Sequence, residues 1–142
     1  HNPKHAPASI GSVVELSITA LAGLGDGLSS WQGKPVFIAK TCPGDRVRAR
    51  IIHENHDGLT ASLLELLESS PDRREAPCAH FSACGGCTLQ QLTLQSYRAF
   101  KTRMAESAIA RAGFDTPVQM RFLPEATRRR VEFKLHHGEG GL

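Results

Sequence analysis

Three of the four cysteines in this 142-residue chain fall within ten residues, Cys78-Ala79-His80-Phe81-Ser82-Ala83-Cys84-Gly85-Gly86-Cys87, with five residues between the first pair and two between the second. This is ligand spacing rather than scatter. A Cys-x-x-Cys pair sets two thiolates on one tight turn. The two intervening glycines let the backbone fold closely round a metal and aim N–H groups at the sulfurs. Soft thiolates select zinc, copper(I) or iron–sulfur clusters over hard cations. Two centres then compete. A 4Fe–4S cluster takes four cysteines, of which three are here, and the fourth often comes from a distant part of a chain. Tetrahedral zinc could instead be completed by His80 as a Cys3His site. A disulfide with a spare thiol is the bland alternative, and nothing in the chain points to an oxidising compartment.

A second set of candidates is cationic. Arg46-Val47-Arg48-Ala49-Arg50-Ile51 alternates, so a strand places Arg46, Arg48 and Arg50 on one face and Val47, Ala49 and Ile51 on the other. Guanidiniums in a row form a phosphate-binding stripe if exposed together; the competing reading is a solvated exterior. Arg128-Arg129-Arg130 opens another basic run ahead of the alternation from Val131 to Leu135. Three consecutive arginines repel one another unless an anion, a carboxylate or RNA relieves them. The net charge of +3 and pI near 8.8 permit nucleic-acid binding without demanding it.

Residues 1–10 form a disordered leader. Val14, Leu16 and Ile18 alternate with Val13, Glu15 and Ser17 as a strand, and the glycine-rich Ala22–Gly27 follows as a turn. That loop has neither the lysine of a P-loop nor a long helix after it, so it is no nucleotide fingerprint. Val36–Ala39, Arg46–Ile51 and Leu59–Leu67 are further strands, divided by Cys42-Pro43-Gly44-Asp45 and Asp57-Gly58. Leu63–Leu67 also reads as a helical turn. Residues 11–68 thus suggest a small five-stranded barrel of the oligonucleotide-binding type. Cys42 falls inside the barrel's pattern and is excluded as a ligand or nucleophile.

Residues 69–77, polar and bracketed by prolines, have linker composition. After Cys87, Thr93 caps a helix on which Leu94, Tyr97, Met104, Ala105, Ala108 and Ile109 recur at three and four, and Gly113 ends it. Pro117–Leu123 reads as a strand, and Gly138–Gly141 as a hairpin turn rather than a methyl-donor loop. The fold class is mixed β and α+β, with the barrel followed by residues 78–142 as the start of a metal-bearing α+β domain. No run of about 18 apolar residues exists, so no membrane span is expected, and a cytoplasmic monomer fits.

Pro77-Cys78-x5-Cys84-Gly85-Gly86-Cys87 followed by Leu89-Gln90-Gln91 resembles the iron–sulfur motif of the bacterial uracil-5 RNA methyltransferases of the RumA/RlmD type. Val14-Glu15-Leu16, Gly25-Asp26-Gly27, Gly33-Lys34-Pro35-Val36-Phe37 and Pro43-Gly44-Asp45-Arg46-Val47 resemble the TRAM domain, an RNA-binding barrel found ahead of those enzymes. The likeness runs from about Gly11 to Leu135, with Thr127 standing where tyrosine is usual.

The resemblance implies an N-terminal fragment of an S-adenosylmethionine-dependent methyltransferase acting on ribosomal or transfer RNA. It implies a 4Fe–4S cluster on Cys78, Cys84 and Cys87, its fourth ligand lying beyond Leu142. In that family a thiolate adds to C6 of uracil, C5 takes the methyl group and a base removes the C5 proton. The nucleophile, base and donor domain would lie after Leu142, so the chain alone is expected to bind RNA without methylating it. The competing class is a non-enzymatic adaptor, a barrel joined to a zinc-stabilised knuckle.

Overall fold

In a computed structural model of the protein, the described residues are 10–130 and 132. Six strands form one curled sheet in the order β1-β5-β6-β4-β3-β2: β1 (Val13–Ser17), β2 (Ala20–Leu21), β3 (Gly27–Trp31), β4 (Lys34–Ile38), β5 (Arg46–Asn55) and β6 (Gly58–Glu68). A helix, α1 (Leu94–Arg111), follows. The oligonucleotide-binding-type barrel expected of residues 11–68 is present as a half-barrel. Two of the six strands do not show individually in the sequence: β2, whose two residues are too few for any alternation to register, and β3, whose Gly-Leu-Ser-Ser-Trp carries no apolar alternation.

The curl follows from patterning. Val14 and Leu16 on β1, with Ile18 just beyond it, meet Val36 and Ile38 on β4, Val47, Ala49 and Ile51 on β5, and Leu59 and Ala61 on β6 in one buried cluster. The residues between them face out, so the sheet is apolar on its inner side only. Register breaks between Arg46 and Val47, Arg48 and Ala49, and Ile51 and His53 bend β5 along its pairing with β6, which bulges do by adding local twist. β4 runs parallel to β6, whereas the other pairings are antiparallel. Leu63–Leu67 lies wholly within β6, so the ladder with β5 overrides the local helical signal.

Gly58 turns β5 into β6 at φ +141°, and Asn55 Oδ1 accepts from the N–H groups of Asp57 and Gly58 at 2.9 and 3.1 Å. A Cβ at Gly58 would collide with the carbonyl oxygen and ring of Pro35, so the parallel contact with β4 needs a residue without one.

Helix α1 starts where its cap predicts: Thr93 Oγ1 accepts from Ser96 N at 3.3 Å. It ends at Ala112 and Gly113, the latter at φ +85°. Its apolar residues are not collected against the barrel. Phe100 alone is buried, Leu94 and Met104 are exposed, and Tyr97 packs edge-on to Phe122 with ring centroids 6.3 Å apart.

Pro117–Leu123 is irregular, correcting the strand expected there. A strand must hand its N–H and C=O groups to a neighbour, and no strand of the sheet pairs with this segment. Side chains hold it instead: Phe122 lies against Tyr97 and under the Arg98 guanidinium, 5.6 Å away, and Glu125 pairs with Arg74 at 2.5 Å. The leader at 1–9, the alternating run Val131–Leu135 apart from Glu132, and the turn at Gly138–Gly141 lie outside the described residues.

Candidate functional site

The cysteine-rich loop rises from two stems, residues 72–77 and 89–93, and both are fastened to the barrel. Asp45, at the end of the Cys42–Asp45 turn, is fully buried and collects donors from several directions. Its Oδ2 accepts from Cys42 N at 2.8 Å and its Oδ1 from Ser70 N at 2.9 Å. The Arg73 guanidinium reaches it through Nη2 at 2.6 Å and through Nε at 3.2 Å from each oxygen, while Nη2 also donates to Lys40 O at 3.0 Å. A buried carboxylate is tolerated only with such a set of partners. Within residues 69–77, linker-like in composition, Ser70 and Arg73 are therefore docked on the barrel.

The second stem adds its own attachment. Gln91, also buried, donates through Nε2 to Thr41 O at 3.0 Å. The stems hold each other through an isolated antiparallel bridge between Arg73 and Leu92, through Arg74 N donating to Gln91 O at 2.8 Å, and through Thr93 N donating to Asp72 O at 2.8 Å. Gln90 Oε1 accepts from Cys78 N at 3.2 Å and so closes the loop at its first cysteine. The adjacent glutamines thus work in opposite directions, Gln90 into the loop and Gln91 into the barrel.

Between these stems Cys78, Cys84 and Cys87 are exposed and free. The loop bends back at its middle, where His80 O accepts from Ala83 N at 3.1 Å and from Cys84 N at 2.7 Å. Cys84 Sγ accepts from Gly86 N at 3.4 Å, an N–H directed at sulfur as the double glycine predicts. A lysine of the barrel touches the loop as well: Lys40 Nζ donates to Ser82 O at 2.6 Å and sits 5.5 Å above the Phe81 ring. The three sulfurs are not drawn together, since no group of three or more His, Cys, Asp or Glu side chains placed to hold a metal occurs among the described residues. Three exposed thiols on one short loop have the chemistry of a thiophilic site, and in this structure they stand apart.

Cys42 is different. It is fully buried below the Asp45 turn, and desolvation, with the neighbouring Asp45 charge adding to it, pushes its thiol above the ordinary value. That leaves it a small apolar core residue.

The arginine stripe lies where the alternation puts it, but not bare. Glu15 of β1 stands opposite Arg48 and reaches it at 3.1 Å and Arg46 at 3.5 Å. On the other side Glu65 reaches Arg48 at 2.6 Å and Glu68 reaches Arg46 at 2.7 Å. Arg50 stands between Val13 and Ser62, and no ion pair joins it to any described residue. Arg128, Arg129 and Arg130 are exposed on irregular backbone, away from the β5 stripe in sequence. Asp45, Arg73 and Lys40 were not found by sequence reasoning. An acid after Pro-Gly and an arginine in a polar segment carry the signal of solvent, and only the tertiary contact reverses it.

No family model matches the chain. It is 38% identical over 129 residues to an uncharacterized RNA methyltransferase of Caulobacter vibrioides, a match covering 89% of this chain and 29% of that protein. It is 35% identical over 102 residues to the 23S rRNA (uracil(1939)-C(5))-methyltransferase RlmD of Pseudomonas putida, covering 72% of this chain and 23% of that protein. Among solved structures, the tRNA (uracil-54, C5)-methyltransferase of Pyrococcus abyssi in complex with S-adenosyl-L-homocysteine aligns with a TM-score of 0.49 and 25% identity, over 67% of this chain and 21% of that one. The chain spans less than a third of the length of the curated relatives it matches.

Proposed function

We propose that this chain, homologous over most of its length to part of the bacterial RNA methyltransferases, holds RNA and a metal-binding loop for a parent protein that methylates C5 of uracil with S-adenosylmethionine. The observation that carries the reading is the three-thiol loop pinned at both stems to a barrel with a cationic strand. The parent is taken as a cytoplasmic monomer, and no helix among the described residues is long and apolar enough to cross a membrane.

Cys78, Cys84 and Cys87 would supply three ligands of a 4Fe–4S cluster. Cys42 is not the fourth, because reaching it would mean opening the core. A bound cluster would cross-link the loop and so brace it. RNA contact is assigned to Arg46, Arg48, Arg50, Arg128, Arg129 and Arg130, with a difference among them. At Arg46 and Arg48 a phosphate must displace carboxylates, whereas Arg50 is free of ion pairs with the described residues. The methyl donor, the nucleophile and the base are assigned to other parts of the parent, so these 142 residues bind RNA without methylating it.

Anaerobic purification of the chain and of its parent decides the loop's cargo. Iron and acid-labile sulfide with broad visible absorption are expected, and their loss in Cys84→Ser. A colourless protein carrying stoichiometric zinc would instead favour the adaptor reading. Incubation of the isolated chain with radiolabelled S-adenosylmethionine and ribosomal or transfer RNA should leave the RNA unlabelled. Turnover by the isolated chain would contradict the division of labour.

A further inference from the structure

The positive charge of the chain is not on the barrel. Residues 11–68 hold five Lys and Arg against seven Asp and Glu, whereas residues 94–130 hold eight against three, an excess larger than the +3 of the whole chain. A polyanion is drawn to the second region and gains nothing from the net charge of the first.

The cations of the two regions also differ in what holds them. On the barrel Lys34, Arg46 and Arg48 each sit against a carboxylate. On α1 the Arg98 guanidinium lies 5.6 Å from the centre of the Phe122 ring and Lys101 Nζ 5.9 Å from that of Tyr97, and the two rings meet edge-on, 6.3 Å apart. Among the described residues no ion pair joins Arg98, Lys101 or the exposed Arg121 to a carboxylate; Glu125 is engaged by Arg74, and Glu106 and Asp115 pair with none of the three. A ring orients a cation without neutralising it, because its quadrupole carries no net charge. A phosphate therefore meets preset charge here and displaces no carboxylate. Tyr97 and Phe122 are only half-buried, and aromatic rings interleaved with cations form the platform on which unpaired bases stack. In a duplex the bases face one another, out of a ring's reach.

We propose that the face of α1 bearing Arg98 and Lys101, with Tyr97 and Phe122 beneath them, binds a segment of single-stranded RNA, its phosphates on the two cations and a base against the exposed part of the rings. The inference rests on the RNA-binding reading above and adds to it a surface separate from the β5 stripe.

Fluorescence anisotropy of the full chain with a labelled oligouridine, read across a salt series, tests this. Arg98→Gln combined with Lys101→Gln is expected to weaken binding about tenfold and to lower the salt slope by about 1.4, the share of two single-strand phosphate contacts. Arg103→Gln combined with Arg111→Gln removes the same charge from the same helix, at positions with no aromatic ring beneath them among the described residues, and should weaken binding less than about threefold. Equal losses in the two pairs overturn the proposal, since the attraction would then belong to the total charge of the helix. Phe122→Leu removes a ring and no charge, so a loss of about threefold at unchanged slope is expected, and unaltered affinity overturns the proposal. The Arg98 and Lys101 changes should weaken RNA binding by the parent as well; an unaffected parent overturns the proposal by giving this face to another part of its own polypeptide. If the unmodified chain binds no RNA even at low salt, the RNA reading itself falls and this surface with it, whereas RNA binding that the Arg98 and Lys101 changes leave intact removes this surface alone.

Discussion

Arg73 closes on Asp45 with Nη2 at 2.6 Å from Oδ2, joining the first stem of the thiol loop to a carboxylate with no solvent exposure at all. Removing one member leaves the other charged and buried, so Arg73→Met is expected to destabilise the chain by about 3–5 kcal/mol. Urea denaturation followed by circular dichroism measures this. A change below about 1 kcal/mol, the range of exposed pairs, would show that the clasp is solvated in practice.

The turn at Gly58 carries a second prediction. Its positive φ and its contact with Pro35 leave no room for a side chain, so Gly58→Ala meets backbone strain and collision together. A loss of about 2 kcal/mol or more is expected, with the β4–β6 amides losing protection first in hydrogen exchange.

The cysteines should separate by reactivity. In the metal-free chain, a disulfide reagent at neutral pH is expected to label the exposed Cys78, Cys84 and Cys87 rapidly and Cys42 only on unfolding. The raised Cys42 thiol also fixes a sign. Its neutral form is favoured in the fold, so its contribution is present below the ordinary value of 9.0 and is lost above it, as the unfolded chain ionises first. Cys42→Ala should therefore flatten the alkaline fall in stability, and an unchanged profile would refute this.

At the acid end the group to watch is Glu125, whose carboxyl the Arg74 hydrogen bond holds below its ordinary value of 4.5. A lowered acid stabilises above its unfolded value and ceases to do so as the pH falls through the folded one. The ring contact between Tyr97 and Phe122, followed by the nuclear Overhauser effect, should weaken in acid in the unmodified chain, and already be weak and flat with pH in Glu125→Gln.

Among the β5 arginines, Arg50→Ala is expected to weaken RNA binding and reduce the salt slope by about one unit, as loss of one phosphate contact does. Arg48→Ala should do less, because Glu15 and Glu65 already neutralise that guanidinium. The reverse ranking, by filter binding across a salt series, would remove Arg50 from the interface.

These expectations show where sequence reading succeeds. Val14, Leu16, Val47, Ala49 and Ile51 announce the inner face because alternation is local, and Thr93 announces the helix because a cap needs only residues three positions away. Asp45 could not be read in this way. Its partners Arg73 and Ser70 arrive after β5 and β6, and nothing near an acid behind Pro-Gly foretells burial. Neutralisation of Arg46 and Arg48 was hidden for the same reason, since it depends on the register that sets Glu15, Glu65 and Glu68 beside them. The segment Pro117–Leu123 has the composition of a strand without a neighbour to pair with, so composition alone misleads. The cysteine spacing offers three thiols on one loop, and whether they can meet round one centre is a property of geometry that spacing does not carry.

The place of β1 has a consequence for synthesis. It leaves the ribosome before the other described strands, yet its only partner among them is β5, with Val13 set against Arg50. Val14 and Leu16 must therefore wait on the nascent chain, uncovered, until the β5–β6 hairpin has emerged to receive them. A translational pause placed before β5 would prolong that wait and expose the growing polypeptide to chaperone capture, whereas a pause after β6 would not.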